Sequence, residues 1–243
     1  YGSRRADLFE WDRRLPQRGR MGSALWALPA LTGVHAPKDP RIQQLTKNER
    51  ALYPAVSPDG ERLAYVRGSA DGAALVLADR DGENVRELAH YGDWTQLHTP
   101  RWSPDGTRLA ISVSRQGRRD IVLVDIDGGV IRPLIASSGT DRDPTWSTDG
   151  ERLLFVSDIS GVFNVYAHEM ASGEIEQLTN VPGGAFFPTV NAAGDILYSG
   201  YGADGFHLYR LPGDRTEGVA VTFDMDEDSD PAAASTAPVT TVG

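Results

Sequence analysis

Apolar residues fall in short runs of about four, separated by clusters of Pro, Asp, Ser and Gly, and no stretch shows the 3.6-residue period of a helix. The runs recur. Tyr53-Pro-Ala-Val-Ser-Pro-Asp-Gly60, Thr99-Pro-Arg-Trp-Ser-Pro-Asp-Gly106 and Asp143-Pro-Thr-Trp-Ser-Thr-Asp-Gly150 share one template, and Phe187-Pro-Thr-Val-Asn-Ala-Ala-Gly194 is a worn fourth copy. Three residues past each glycine stands Leu63, Leu109, Leu153 or Leu197, opening a strand such as Leu63-Ala-Tyr-Val66. A second run follows in each copy: Leu75–Ala78, Ile121–Val124, Val165–Ala167 and Leu208–Leu211. A last short strand ends at Leu88, Leu134, Leu178 or Val221, so one unit is four strands.

The turns support the same reading. In Ser57-Pro58-Asp59-Gly60 the proline suits a φ near −65°, the serine can bond back to the backbone, and the glycine accepts the positive φ that closes a hairpin. Four strands in a unit of about 44 residues suit the blade of a β-propeller; β-helix coils are much shorter, and sandwich strands do not recur with a sequence period. The expected fold is an all-β propeller with four full blades, near 51–89, 97–135, 141–179 and 185–222, and a partial fifth over 6–46. In that fifth blade Ala24–Leu28 and Ile42–Thr46 match the third and fourth strands, Ala6–Trp11 the second, and the first is missing. Two closures are open: Pro238–Val242 folds back to complete a five-bladed ring, or the chain is part of a larger ring. Residues 224–243, an acidic run followed by Pro, Ala, Ser and Thr, read as a tail or linker.

Composition narrows the function. Twenty-four Lys+Arg against 34 Asp+Glu give −10, with Asp224, Asp226, Glu227, Asp228 and Asp230 in one run. A mildly acidic body argues against nucleic acid as a partner. There is no run of eighteen apolar residues to span a bilayer, and Arg4 to Arg20 are interrupted by Asp7, Glu10 and Asp12, with no apolar signal core following. The chain has no cysteine, which removes thiol nucleophiles and thiolate metal sites.

Trp102-Ser-Pro-Asp-Gly-Thr-Arg-Leu-Ala110, the following Ile121–Asp125 and the Leu178-Thr179 blade end resemble the WD40-like PD40 repeat of bacterial TolB-type propellers, over roughly residues 24–222. That resemblance implies a module without catalytic activity, placed in the periplasm or cell envelope, that binds partner proteins. Similar propellers gate prolyl-oligopeptidase-type peptidases, so the alternative is a non-catalytic propeller covalently linked to further domains.

Candidate chemistry is sparse. No Gly-x-Ser-x-Gly pentad is present, and His168-Glu169 has Ser172 where a zinc signature needs its second histidine. Asp79-Arg-Asp-Gly82 and Asp125-Ile-Asp-Gly-Gly129 alternate carboxylates as calcium loops do, but lack the later bidentate Glu and read as hairpin turns. In the acidic tail, Ser235 stands where an EF-hand needs Glu. No catalytic residue, cofactor or metal is expected. Trp102 and Trp146, in equivalent slots, are expected to pack between blades.

The segments before Pro54, Pro100, Pro144 and Pro188 differ from blade to blade, and in a propeller they crowd one mouth of the channel. They supply the expected binding residues: Trp94, Arg142 and Phe186 as interface anchors, Arg50 and His98 to hold a polar or carboxylate group. The competing reading pairs Arg50 with Glu49 and Arg142 with Asp143.

Overall fold

The computed structural model describes residues 7–14, 21–28, 43–127, 131–213 and 218–223. The described residues form antiparallel sheets, and the chain divides into two compact units, Tyr1–Pro100 with Ala234–Gly243, and Arg101–Ala233.

In the first unit β1 (Asp7–Arg14), β2 (Met21–Leu28) and β3 (Gln43–Gln44) make the expected partial sheet, and β4 (Arg50–Val56), β5 (Arg62–Gly68), β6 (Ala73–Asp79) and β7 (Arg86–Tyr91) make a complete one. Tyr65, Ala74 and Val76 are buried in its core because alternate residues of β5 and β6 point to one face. β8 (Gln96–Trp102) runs across the division and opens the next four-stranded sheet, with β9 (Arg108–Arg115), β10 (Arg118–Asp125) and β11 (Ile131–Ile135).

The second unit continues with β12 (Arg142–Trp146), β13 (Arg152–Ser157), β14 (Asn164–Glu169) and β15 (Ile175–Gln177), and then β16 (Ala185–Val190), β17 (Ile196–Gly202) and β18 (Gly205–Leu211). Trp146 shows why a large ring recurs before the turn. It is buried among Ala110, Leu123 and Leu153 and donates its indole N–H to the Arg101 carbonyl at 3.1 Å, so it ties one sheet to the preceding one. Trp102 is also buried, as expected.

The Ser-Pro-Asp-Gly turns are built as their chemistry requires. Gly60, Gly106, Gly150 and Gly194 have φ of 79°, 69°, 76° and 83°. Ser57 Oγ accepts the Arg62 N–H at 2.9 Å and donates to Asp59 Oδ1 at 2.5 Å; that carboxylate in turn accepts the Glu61 N–H. Ser103 with Asp105 and Ser147 with Asp149 repeat the pattern. In the worn copy the Asn191 side chain does both jobs, accepting from the Ala193 and Asp195 amides.

One expected element is placed differently. The strand ending at Val221, read as the fourth of the 185–222 blade, is β19 (Val219–Val221) and pairs antiparallel with β15, Ile175 opposite Val221. The 142–177 sheet therefore has five strands and the last sheet three. Burial decides it: Phe223, two residues on, sits with its ring 5.1 Å from that of Tyr166 and 5.8 Å from that of Phe155, inside the core of the earlier blade. The proposed closing strand 238–242 and the acidic run 224–230 lie outside the described residues.

Candidate functional site

The first strand of each of the four repeats carries a bend that the repeat conceals. Tyr53, Thr99, Asp143 and Phe187, each immediately before the repeated proline, have φ of 52°, 48°, 52° and 53°. In three of these strands the pairing also breaks register there, between Leu52 and Ala55, Arg142 and Thr145, and Phe186 and Thr189. Proline disfavours the right-handed helical bend in the residue before it, and the left-handed bend taken instead is strained for a residue with a Cβ. A bulge re-aims a side chain, and of the four residues at this slot it is Phe187 that is exposed.

The bulge also changes where the expected binding residues sit. The ladder resumes upstream of the proline, so Arg50, His98, Arg142 and Phe186 are strand residues, and of the five only Trp94 lies in a connection.

In the second unit the bend gathers a cluster. The Arg142 guanidinium lies over two rings, 5.8 Å from the centre of Phe163 and 5.5 Å from that of Phe187. Phe186 touches Phe163 at 5.4 Å, Phe187 at 6.3 Å and Phe206 at 5.9 Å between ring centres, and Phe206 meets Tyr201 at 4.9 Å. Phe187, Phe206 and Tyr201 are 59%, 63% and 52% exposed. Two adjoining glycines make room: a Cβ on Gly183 would fall 1.7 Å from the Tyr201 carbonyl oxygen, and one on Gly184, at φ 106°, would fall 2.7 Å from the Phe186 ring.

Arg142 is held from both sides. Its Nε donates to Asp143 Oδ2 at 2.9 Å, so the carboxylate pairing weighed in the sequence is present. Behind it the 136–141 connection is pinned. Buried Asp141 accepts from the Ser137 amide at 2.9 Å and from the Ser137 hydroxyl at 3.1 Å, and its own N–H donates to the Arg119 carbonyl. Asp158 accepts the Thr140 N–H at 2.6 Å. Burial pushes the Asp141 carboxyl above its ordinary value, against the pull of its bonds to Ser157 and Ser137. An Arg and exposed rings pre-set in this way can receive a carboxylate or carbonyl together with an apolar side chain.

In the first unit His98 Nδ1 is 3.3 Å from the Tyr53 hydroxyl, with ring centres 5.6 Å apart. Arg50 is exposed and its side chain lies over Gly68, while Glu49 turns to Tyr65 and Arg67. Trp94, 79% exposed at φ 61°, donates its N–H to the Asp71 carbonyl at 2.7 Å. The structure thus joins Arg142 to Phe186, and His98 to a residue absent from the expected set.

Phe163, Phe187, Phe206, Tyr201 and Tyr53 were missed. The signal for Tyr53 and Phe187 was in the sequence: the slot before each proline changes type, Tyr, Thr, Asp, Phe, while the proline itself repeats. Phe206 and Tyr201 carry no such mark. The other candidates keep bland roles: Asp79 accepts from Asn84, Asp125 pairs with Arg132, and His168 is buried opposite Leu153 and Ile175. No group of three metal-ligating side chains is found among the described residues.

Among solved structures, a protein from Agrobacterium tumefaciens described as TolB is similar at a TM-score of 0.67 and 20% identity, over 90% of this chain and 89% of that one. TolB from Acinetobacter baumannii is similar at 0.63 and 19%, over 83% of this chain and 49% of that one. A puromycin-hydrolyzing peptidase from Mycobacterium tuberculosis is similar at 0.67 and 19%, over 93% of this chain; the chain spans 37% of its length. These likenesses show the fold. No curated protein is similar in sequence at a significant level. The model of the TolB β-propeller domain, PD40, matches residues 40–235. The chain belongs to the TolB β-propeller (PD40) family, and its all-β sheets are propeller blades.

Proposed function

We propose that this chain is a non-enzymatic binding module of a bacterial cell envelope, which takes a protein or peptide on the arginine–aromatic surface of its second unit. One observation carries the reading: Arg142 lies over Phe163 and Phe187, and Phe187 is more than half exposed at a strained bulge. Arg and aromatic side chains dominate binding energy at interfaces, and groups already held in place lose less entropy on binding. Membership of the TolB propeller family and likeness to TolB proteins support a protein partner and an envelope setting.

The test is peptide selection from a random library on the purified chain, followed by titration of selected peptides against Arg142→Ala and Phe187→Ala variants. Affinity falling at least about tenfold with unchanged melting is expected, the loss typical of an interface anchor. Selected peptides that bind both variants as well as the parent would place recognition elsewhere.

A second reading has its own support. The mycobacterial peptidase is similar over 93% of this chain but is much longer, so this chain corresponds to one part of it. On that reading the propeller screens substrates for a hydrolase domain in the same polypeptide. A hydrolase domain encoded beside this segment, with activity on aminoacyl amides that changes in the Arg142 variant, would favour it over the first.

A further inference from the structure

Among the described residues, the last sheet ends on a strand unpaired on its outer side. β18 pairs with β17 through seven successive partners, Ile196 opposite Leu211 to Gly202 opposite Gly205, without a register shift. No strand lies on its other side among the described residues, because β19 is taken by β15. An unpaired edge offers a row of N–H and C=O groups to another chain, and proteins blunt such edges with short strands, bulges or proline.

The neighbouring outer strands carry those devices. β7 breaks register opposite Leu75 and Val76, β11 breaks register opposite Ile121 and Val122 and contains Pro133, and β19 is three residues long. β18 has no bulge, no proline and no shortening, and its one fixed charge is Arg210. It has seven residues without proline or bulge, Phe206 to Arg210 are all exposed, and Leu208, at 81%, is the most exposed large apolar side chain of the described residues.

We propose that this edge receives a second copy of the chain, β18 against β18, antiparallel about a twofold axis through Leu208. The strand is complementary to itself in that register. Leu208 meets the partner's Leu208, Phe206 meets the partner's Arg210, and His207 meets the partner's Tyr209. Phe206, Leu208 and Arg210 share one face, since side chains alternate, so an apolar contact at the axis is flanked on each side by a guanidinium and a ring. Arg210 is already steadied by Asp195 at 3.2 Å and is 64% exposed, which leaves it free to reach across. Centring the axis on Leu208 uses all seven residues; moving it to His207 shortens the ladder and sets two histidines face to face. A twofold pairing closes on itself and goes no further. With one strand pair at its heart, the dimer belongs with small, readily dissociating interfaces.

Sedimentation equilibrium on the full chain over a range of concentrations tests the association, and a cysteine-free sequence makes cross-linking a clean test of register. Leu208→Lys sets like charges opposite each other at the axis and is expected to weaken dimerisation at least about tenfold, with melting unchanged because the side chain is exposed. Leu208→Cys is expected to form an intermolecular disulfide quickly on mild oxidation, since paired strands bring the two positions within bonding reach. Arg210→Cys is expected to link slowly, its two copies being offset by roughly 14 Å along the strands. A parent protein monomeric at all concentrations overturns the proposal. So does a Leu208→Lys variant that dimerises like the parent, or cross-linking as fast at 210 as at 208.

Discussion

The Arg142 guanidinium lies 5.5 Å from the centre of the Phe187 ring, although the two residues stand in different sheets and 45 positions separate them. Arg142 is kept in place by Asp143, and Phe187 by its left-handed backbone. Replacing Arg142 with Lys keeps the charge but loses the planar fork that stacks on a ring and bonds in two directions. Arg142→Lys is therefore expected to bind selected peptides nearly as poorly as Arg142→Ala, measured by calorimetric titration. Recovery of parental affinity would reduce the role of Arg142 to charge alone.

Trp94 tests the limits of that surface. It is the most exposed ring of the expected set, yet it belongs to the first unit and to none of the ring contacts around Arg142. Trp94→Ala is expected to leave both melting temperature and the affinity of peptides that depend on Arg142 within experimental scatter. A loss as large as that of Phe187→Ala would make Trp94 a binding residue.

Gly106 closes its turn at φ 69°. A β-branched residue resists that conformation, and the left-handed region costs an ordinary residue about 1–2 kcal/mol. Gly106→Val should lower the melting temperature by several degrees, read by circular dichroism, while Gly106→Asn should lower it less.

Phe223 holds the fifth strand onto the 142–177 sheet. Emptying a buried phenylalanine site costs roughly 3–5 kcal/mol. For Phe223→Ala the melting temperature should drop, and amide exchange should speed up first at Val219–Val221 and at the facing Ile175–Gln177. Uniform loss of protection would mean that β19 is not anchored separately.

Acid should act on the turns. The Ser57, Ser103 and Ser147 hydroxyls hold Asp59, Asp105 and Asp149 below their ordinary value of 3.8, helped by the amides that follow. Carboxylates held low resist protonation more in the folded chain than in the unfolded one. Their support is complete above 3.8 and is lost as pH falls through the lower folded values. Asp141 has the opposite sign: burial raises its value, so its charge costs stability above that raised value, and the cost fades as pH falls through it. A Ser57→Ala, Ser103→Ala, Ser147→Ala triple variant should flatten the acid limb of a melting-temperature profile below pH 4, and Asp141→Asn should remove the opposing slope. A triple variant with the parental acid limb would separate the turns from acid sensitivity.

Much of the architecture was legible in the chain because a propeller blade is a local object. Its strands are neighbours in sequence, its hairpins are closed by residues that announce themselves, and the tryptophan slot repeats with the blade. The turn geometry and the buried places of Trp102 and Trp146 follow from that, whereas the sheet that Val219–Val221 joins does not. The identity of the binding residues was only partly legible. Arg142 and Phe186 were found because their types and their place before the proline stand out, whereas Phe163 and Phe206 enter the cluster from strands or connections with no distinguishing signal.

Sequence alone determined the repeating antiparallel hairpins and their turns, since these depend on contacts within some 44 residues and on the stereochemistry of Pro and Gly. Tertiary structure alone decided which edge the last strand joins, which rings surround Arg142, and that β18 has no outer neighbour among the described residues. Those outcomes rest on competition for buried space between blades. One phenylalanine, Phe223, is buried beside Tyr166 and Phe155, and no local pattern records that placement.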